Sequence, residues 1–145
     1  MIALQYAVPD CIKEHCAQAR YSRWLHRKAA AHTRRDRKRG LACTIASYKA
    51  DIHAAVCSSG HLDFYTGEPL DWSLVSTYDN ESSKSGRTKY KKTLALLPTL
   101  DHTVDELGRP KFVICSWSVN DAKGDLSIDE FYRLCERVLK HRHES

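Results

Sequence analysis

Residues 99–123 read TLDHTVDELGRPKFVICSWSVNDAK, and this stretch decides the predicted fold of the chain. Thr99 to Val104 is strand-like, and the apolar run from Phe112 to Cys115 predicts a second strand. Residues 105–110 (DELGRP) contain a glycine and a proline, which are typical of a hairpin connection. Asn120 to Lys123 then falls on a short helix. The order is therefore predicted to be strand, hairpin, strand, helix.

Helices are predicted on both sides of this stretch. Towards the N-terminus, a basic helix runs from about Tyr21 to Arg39, and Thr44 can cap a further helix that ends at residues 58–60. Towards the C-terminus, Ser127 and Glu130 have the spacing of a capping box and open a final helix with an apolar stripe. We interpret that final helix as a packing element with a solvated tail.

The chain shows no internal repeat and no domain boundary, so we predict one mainly helical α+β domain over residues 1–145. Its parts are a basic helical N-terminal part (1–59), a core with a β-hairpin followed by a helix (60–125) and a C-terminal helix (126–145). Within the core, residues 72–76 (WSLVS) predict a short strand or extended segment.

The composition is that of a soluble globular protein. Hydrophobic residues make up 42% and charged residues 28% of the chain. No apolar run approaches the roughly 20 residues that a membrane-spanning helix needs. The N-terminal residues lack the basic start of a secretory signal. These features predict a cytoplasmic location and no membrane partner.

The six cysteines form no C-x-x-C pair, so no structural zinc is expected. Because nothing in the sequence points to export, we interpret them as free thiols. The fold must then rely on its own core, to which Trp72, Phe112 and Trp117 are expected to contribute.

Positive charge is concentrated in two places, although the net charge is only +5. Residues 20–39 hold nine Lys or Arg side chains against one acid, Asp36, and residues 84–92 hold five more. Two separated cationic clusters suit a polyanion, because neutralised phosphates release condensed counterions. For the first cluster, a solvated helix face is the alternative. The candidate DNA-contacting residues are Arg27, Lys28, Arg34, Arg35, Arg37, Lys38, Arg39, Lys84, Arg87, Lys89, Lys91, Lys92 and Lys111.

Three side chains of the hairpin and helix have the chemistry of phosphodiester hydrolysis. A neutral histidine such as His102 can take the proton of an attacking water near neutral pH. A hard divalent cation is held by oxygen ligands, and Asp101 and Asn120 offer a carboxylate and an amide carbonyl. The hairpin is expected to bring Asn120 back towards Asp101. The alternative for Asn120 is a simple helix cap.

On these residues the chain resembles the HNH endonucleases, which have the ββα-metal (His-Me finger) fold. The matching elements are Leu100-Asp101-His102, a hairpin through Gly108, and Asn120-Asp121-Ala122-Lys123, so the resemblance covers about residues 60–125. It implies a metal-dependent DNA endonuclease with His102 as general base and with Asp101 and Asn120 as metal ligands. By the same resemblance, Lys123 supports the site or contacts phosphate.

The resemblance also implies a cofactor and a substrate, and the sequence departs from the family pattern at one position. The expected cofactor is one divalent ion, Mg²⁺ or alternatively Mn²⁺, and the expected substrate is double-stranded DNA. Cutting both strands would take a homodimer or two successive nicks. The middle asparagine of the family is replaced by Lys111, which cannot accept hydrogen bonds. A nucleic-acid-binding module with a decayed HNH site therefore stays open as an alternative, as does a toxin nuclease or an RNA-cutting relative.

Overall fold

The computed structural model describes residues 6–75 and 92–144, which form a mixed α+β fold. A two-stranded antiparallel hairpin is followed directly by a short helix, as predicted. In chain order the elements are α1 (Gln18–Lys38), α2 (Ile45–Ser59), β1 (Pro98–Val104), β2 (Pro110–Ser116), α3 (Trp117–Lys123) and α4 (Ile128–Glu144), with a 3-10 turn at Trp72–Leu74.

The hairpin is closed by a turn that Asp105 organises. Its Oδ1 accepts hydrogen bonds from the backbone N–H groups of Leu107 and Arg109, both at 2.9 Å. Gly108 takes a φ of 76°, a conformation that a side chain would strain. With this turn, His102 pairs with Phe112 across the two strands. The register therefore places the candidate histidine opposite a buried aromatic ring.

One face of the hairpin packs on α1 and α2 to form the hydrophobic core. Trp24 of α1 and Trp72 of the 3-10 turn meet edge to face, with ring centroids 4.9 Å apart. The indole N–H of Trp72 donates to the backbone carbonyl of Gly60 at 2.7 Å. Phe112 joins this core, whereas Trp117 is only half-buried. Trp72 and Phe112 are therefore core residues, as predicted, whereas Trp117 is only partly buried.

The predicted helix caps are confirmed. The hydroxyl of Thr44 accepts from the backbone N–H of Ser47 at 3.0 Å and starts α2. Ser127 and Glu130 form the reciprocal hydrogen bonds of a capping box, at 3.1 and 3.2 Å, where α4 begins.

Two predictions are wrong in part. Residues 72–74 form a 3-10 turn instead of a strand, because Asp71 accepts hydrogen bonds from the N–H of Ser73 and bends the backbone there; Ser76 lies outside the described residues. In α4 no residue is buried, and its rings at Phe131 and Tyr132 contact the ring of Tyr65. Periodicity predicted the amphipathic helix but not whether a surface would cover it. Over the described stretches, no helix is long and apolar enough to cross a membrane.

Candidate active site

A cavity of about 350 Å³ brings together the three side chains singled out in the sequence. Asp101 and His102 come to it from β1, and Asn120 comes from α3. We refer to it as the active-site cavity. Its remaining lining residues are His32, Arg35, Asp36, Arg39, Leu100, Lys123, Gly124, Asp125 and Leu126.

Asp101 is nearly buried, at 6% exposure, and its carboxylate is held by two donors. The hydroxyl of Tyr65 donates to Oδ2, and the ammonium of Lys123 lies 3.1 Å from the same oxygen. Both contacts use the same carboxylate oxygen, Oδ2. The carboxylate is thus oriented by the protein before anything binds to it.

Lys123 is itself buried, at 4% exposure. Besides its ion pair with Asp101, it donates a hydrogen bond to the backbone carbonyl of Leu126. These two contacts tie the end of α3 to β1. In this position Lys123 holds the carboxylate of Asp101 and also lines the cavity.

Asn120 does not cap its helix. The cap is Ser116, whose hydroxyl accepts from the backbone N–H of Val119 at 3.1 Å, and α3 begins at Trp117, three residues earlier than predicted. Asn120 is therefore the fourth residue of α3. It is half-buried and lines the active-site cavity, so the capping alternative is excluded.

His102 points to the other side of β1 from Asp101, because successive strand residues alternate. Its ring stacks on Phe112 at a centroid distance of 4.9 Å, and Nε2 lies 3.3 Å from Oδ2 of Asp36. Among the described residues, no atom meets full hydrogen-bond geometry with Nε2. Burial lowers the pKa of His102, and Arg39 and Arg35 lower it further, against the opposing effects of Asp36 and Asp101. The imidazole is therefore neutral at neutral pH, the form that a general base requires.

The donor set suits a hard cation that keeps much of its water shell. Asp101 and Asn120 offer two oxygen ligands to one cavity, and the carboxylate of Asp125, which is exposed, lines it too. Mg²⁺ typically binds through one or two carboxylates and completes its octahedron with water and phosphate oxygens. In residues 6–75 and 92–144, no three His, Cys, Asp or Glu side chains form a complete metal cage. The ammonium of Lys123 lies beside Asp101 and repels other cations, so a metal ion would have to compete with it for the carboxylate.

Some of the cationic residues in and directly after α1 lie on the helix face that is turned towards the hairpin. Lys28 and Arg35 of α1 and its C-cap residue Arg39 follow one another at helical spacing on the face towards the hairpin. Arg35 and Arg39 line the active-site cavity, and Arg27, Lys28 and Arg35 line a second cavity of about 430 Å³, which we call the side cavity. Asn120 borders both cavities. This face of α1 therefore carries positive charge along the approach to the site.

Lys28 has an unusual environment for a lysine. Its ammonium donates to the hydroxyl of Thr99 at 3.1 Å. Burial lowers the pKa of Lys28 to about 8, and the positive charges of Arg27 and Arg35 contribute to that decrease. An anion in the side cavity would relieve this repulsion.

The other candidate DNA contacts lie elsewhere. Arg34 and Lys38 are exposed and line neither cavity, and Arg37 donates to the backbone carbonyl of Cys43. Lys111 is exposed on β2 and also lies away from both cavities. Lys92 is exposed and borders neither of them. The remaining predicted contacts lie outside the described residues: Lys84, Arg87, Lys89 and Lys91.

Asp63 is a structural residue of the site that the sequence reasoning missed. At 2% exposure, its Oδ1 accepts from the backbone N–H groups of Tyr65 and Thr66, at 2.6 and 3.0 Å, and its Oδ2 accepts from that of Ser116 at 2.7 Å. It thereby joins the turn that carries Tyr65 to the start of α3. No local pattern in the sequence relates Asp63 to Ser116.

Asp36 was also missed. It is the single acid of the basic stretch, which is a signal in the sequence, yet only the packing of α1 on β1 brings it to His102. Comparison with protein-family models, with curated proteins and with solved structures gave no significant match.

Proposed function

We propose that this protein is a metal-dependent DNA endonuclease of the HNH type. The observation that carries the proposal is the shared cavity of Asp101, His102 and Asn120 beside the cationic face of α1. An imidazole, a carboxylate and an amide that line one cavity next to arginines are the groups that phosphodiester hydrolysis needs.

In the proposed mechanism, neutral His102 accepts a proton from the water that attacks the phosphorus atom. The bond from phosphorus to the 3′ oxygen breaks, leaving a 5′ phosphate and, after protonation by solvent, a 3′ hydroxyl. Asp101 and Asn120 would hold the divalent ion, which when bound stabilises negative charge on the phosphate and the leaving oxygen. Lys123 and Tyr65 keep Asp101 oriented. Arg35 and Arg39 bind the phosphate backbone without reading the bases.

The test is conversion of supercoiled plasmid to open circles with Mg²⁺ or Mn²⁺, because one site cuts one strand. We expect nicking that stops when EDTA removes the metal. Asn120→Ala should lower the nicking rate by about 100-fold through loss of a metal ligand, whereas Asn120→Asp, which keeps an oxygen donor, should lose less. Metal titration of both variants by calorimetry should rank them in the same order. Cleavage that persists in EDTA, or equal rates for both variants, would contradict the metal role.

A nucleic-acid-binding module with a decayed site is the second candidate. It is favoured by the ion pair that already neutralises Asp101 through Lys123 and by Lys111 on the second strand. If the protein binds DNA but nicks it with neither metal, this second candidate replaces the first. RNA in the same assay tests an RNA-cutting activity.

The proposed route of the DNA backbone along α1 predicts unequal effects of neighbouring arginines. Arg35→Ala should weaken DNA binding about 5- to 10-fold and reduce the slope of log affinity against log salt concentration by about 1, since Arg35 lines both cavities. Arg34→Ala removes the same charge from an adjacent position that lines neither cavity, so its effect should be clearly smaller. Fluorescence anisotropy at several salt concentrations measures both. Equal losses for the two variants would indicate diffuse attraction instead of a defined route.

A further inference from the structure

The imidazole of His102 has a buried carboxylate at one of its nitrogens. Oδ2 of Asp36 lies 3.3 Å from Nε2, and Asp36 is 1% exposed although its neighbours in α1 are arginines and lysines. A buried acid in a basic, otherwise solvated stretch has a desolvation cost that needs a specific partner.

Asp36 is itself held in place by other contacts. The hydroxyl of Tyr48, on α2, donates to its Oδ2 at 2.5 Å, and the guanidinium of Arg39 lies 4.0 Å from its Oδ1. These contacts, the Tyr48 hydrogen bond above all, restrain the carboxylate beside the histidine. The ring of His102 is also restrained, by stacking on Phe112 and by the nearby ring of His32 at 5.5 Å.

We propose that Asp36 is a positioning residue that holds His102 in the tautomer with its proton on Nε2. Nδ1 is then the unprotonated nitrogen that receives the proton of the attacking water. The inference rests on the proposed nuclease function for its catalytic consequence, but the tautomer is a property of the resting protein.

The groups around the ring favour this assignment. A carboxylate can only accept a hydrogen bond from the ring, so a proton on Nε2 is favoured and a lone pair there would face a negative charge. Tyr48 does not compete as a donor to Nε2, because its hydroxyl proton is directed to Asp36. The present N···O alignment falls short of a full hydrogen bond, and catalytic contacts of this kind commonly tighten when substrate binds.

Position 111 of the hairpin, where the family that the chain resembles has its middle asparagine, does not supply a contact that orients the histidine. Lys111 is exposed on β2 and, as a donor only, has no lone pair to offer. The chain therefore orients its histidine from α1, across the core, instead of from the second strand.

The direct test is the ¹⁵N–¹H NMR spectrum of the imidazole of His102 in the wild-type protein at neutral pH, assigned with His102→Gln. We expect a protonated Nε2 and an unprotonated Nδ1. Asp36→Asn, which keeps the volume, should shift the population towards the Nδ1–H tautomer. A wild-type His102 that carries its proton on Nδ1 would overturn the proposal, and this measurement depends neither on the folding of a variant nor on any activity.

Kinetics provide the second measurement. Asp36→Asn should lower kcat for plasmid nicking by about 10- to 100-fold with KM for DNA changed less than about twofold, because it disturbs the base without touching substrate. Asp51→Asn makes the same substitution at an exposed position of α2 and should leave kcat unchanged. An unaltered kcat in Asp36→Asn would also overturn the proposal.

The two measurements separate this inference from the proposed function. If the tautomer is as expected and shifts in Asp36→Asn, but the wild-type protein cuts no DNA, the positioning contact stands and the nuclease proposal fails. If the protein cuts DNA through His102 while Asp36→Asn changes neither tautomer nor kcat, the nuclease proposal stands and the positioning role fails.

Discussion

His102→Ala is expected to lower the rate of plasmid nicking by about 10³-fold while DNA affinity changes less than about threefold. A general base contributes about 10²- to 10⁴-fold to a hydrolytic rate, so its removal should slow the reaction by a factor of this order. The ring of His32 also lines the cavity, but burial, with Arg35 and His102, lowers its pKa to about 3. So weak a base takes a proton from water poorly. Single-turnover nicking with excess protein measures the chemical step.

His26→Ala is the matched control, because His26 is an exposed histidine of α1 that lines neither cavity. It should nick DNA at the wild-type rate. If His102→Ala and His26→Ala cut equally well, the general base has been assigned to the wrong residue. Anisotropy measurements on His102→Ala separate a loss of chemistry from a loss of binding.

Asp63→Ala is expected to lower the free energy of unfolding by about 3–5 kcal/mol. It leaves three backbone N–H groups without their acceptor, one of them buried and two partly buried, and a buried donor left unsatisfied costs about 1–3 kcal/mol. Asp63→Asn keeps one oxygen acceptor and should lose about half as much. Urea denaturation, monitored by tryptophan fluorescence, measures the free energy of unfolding of the wild-type protein and of both variants.

Asp71→Ala provides the comparison for Asp63→Ala. Asp71 also accepts hydrogen bonds from a turn, but it is exposed and its donors are the N–H and hydroxyl of Ser73. Its removal should cost about 1 kcal/mol, because water can replace the lost acceptor. A loss for Asp63→Ala within 1 kcal/mol of that for Asp71→Ala would show that the buried contacts contribute little.

The consequence of Asp63→Ala for the site is indirect. Asp63 fixes the turn from which Tyr65 reaches Asp101, and it fixes the residue that caps α3. Loosening both ends should lower the nicking rate even at temperatures where the variant is folded. The two predictions therefore test different levels of the same architecture, the reacting group and the structure that holds it.

Local features of the fold could be predicted from the sequence. The hairpin, the helix after it, the Thr44 cap and the Ser127–Glu130 capping box all follow from residues a few positions apart. Such features depend on turn chemistry, on caps and on the alternation of apolar residues. Where the same reasoning was applied to residues 72–74, the side chain of Asp71 outweighed strand propensity, since it offers the backbone a local hydrogen-bond partner.

The types of group in the candidate site, and the hairpin that carries Asp101 and His102, follow from local sequence patterns. The packing of the elements sets which groups touch these two side chains: Asp36 and Tyr48 lie around the imidazole, and Tyr65 and Lys123 lie on the carboxylate. It also sets which arginines face the cavity, and it leaves no residue of α4 buried. Hydrogen-bond and turn preferences act over only a few residues. Contacts between elements depend on how buried surfaces pack, and no local pattern encodes that.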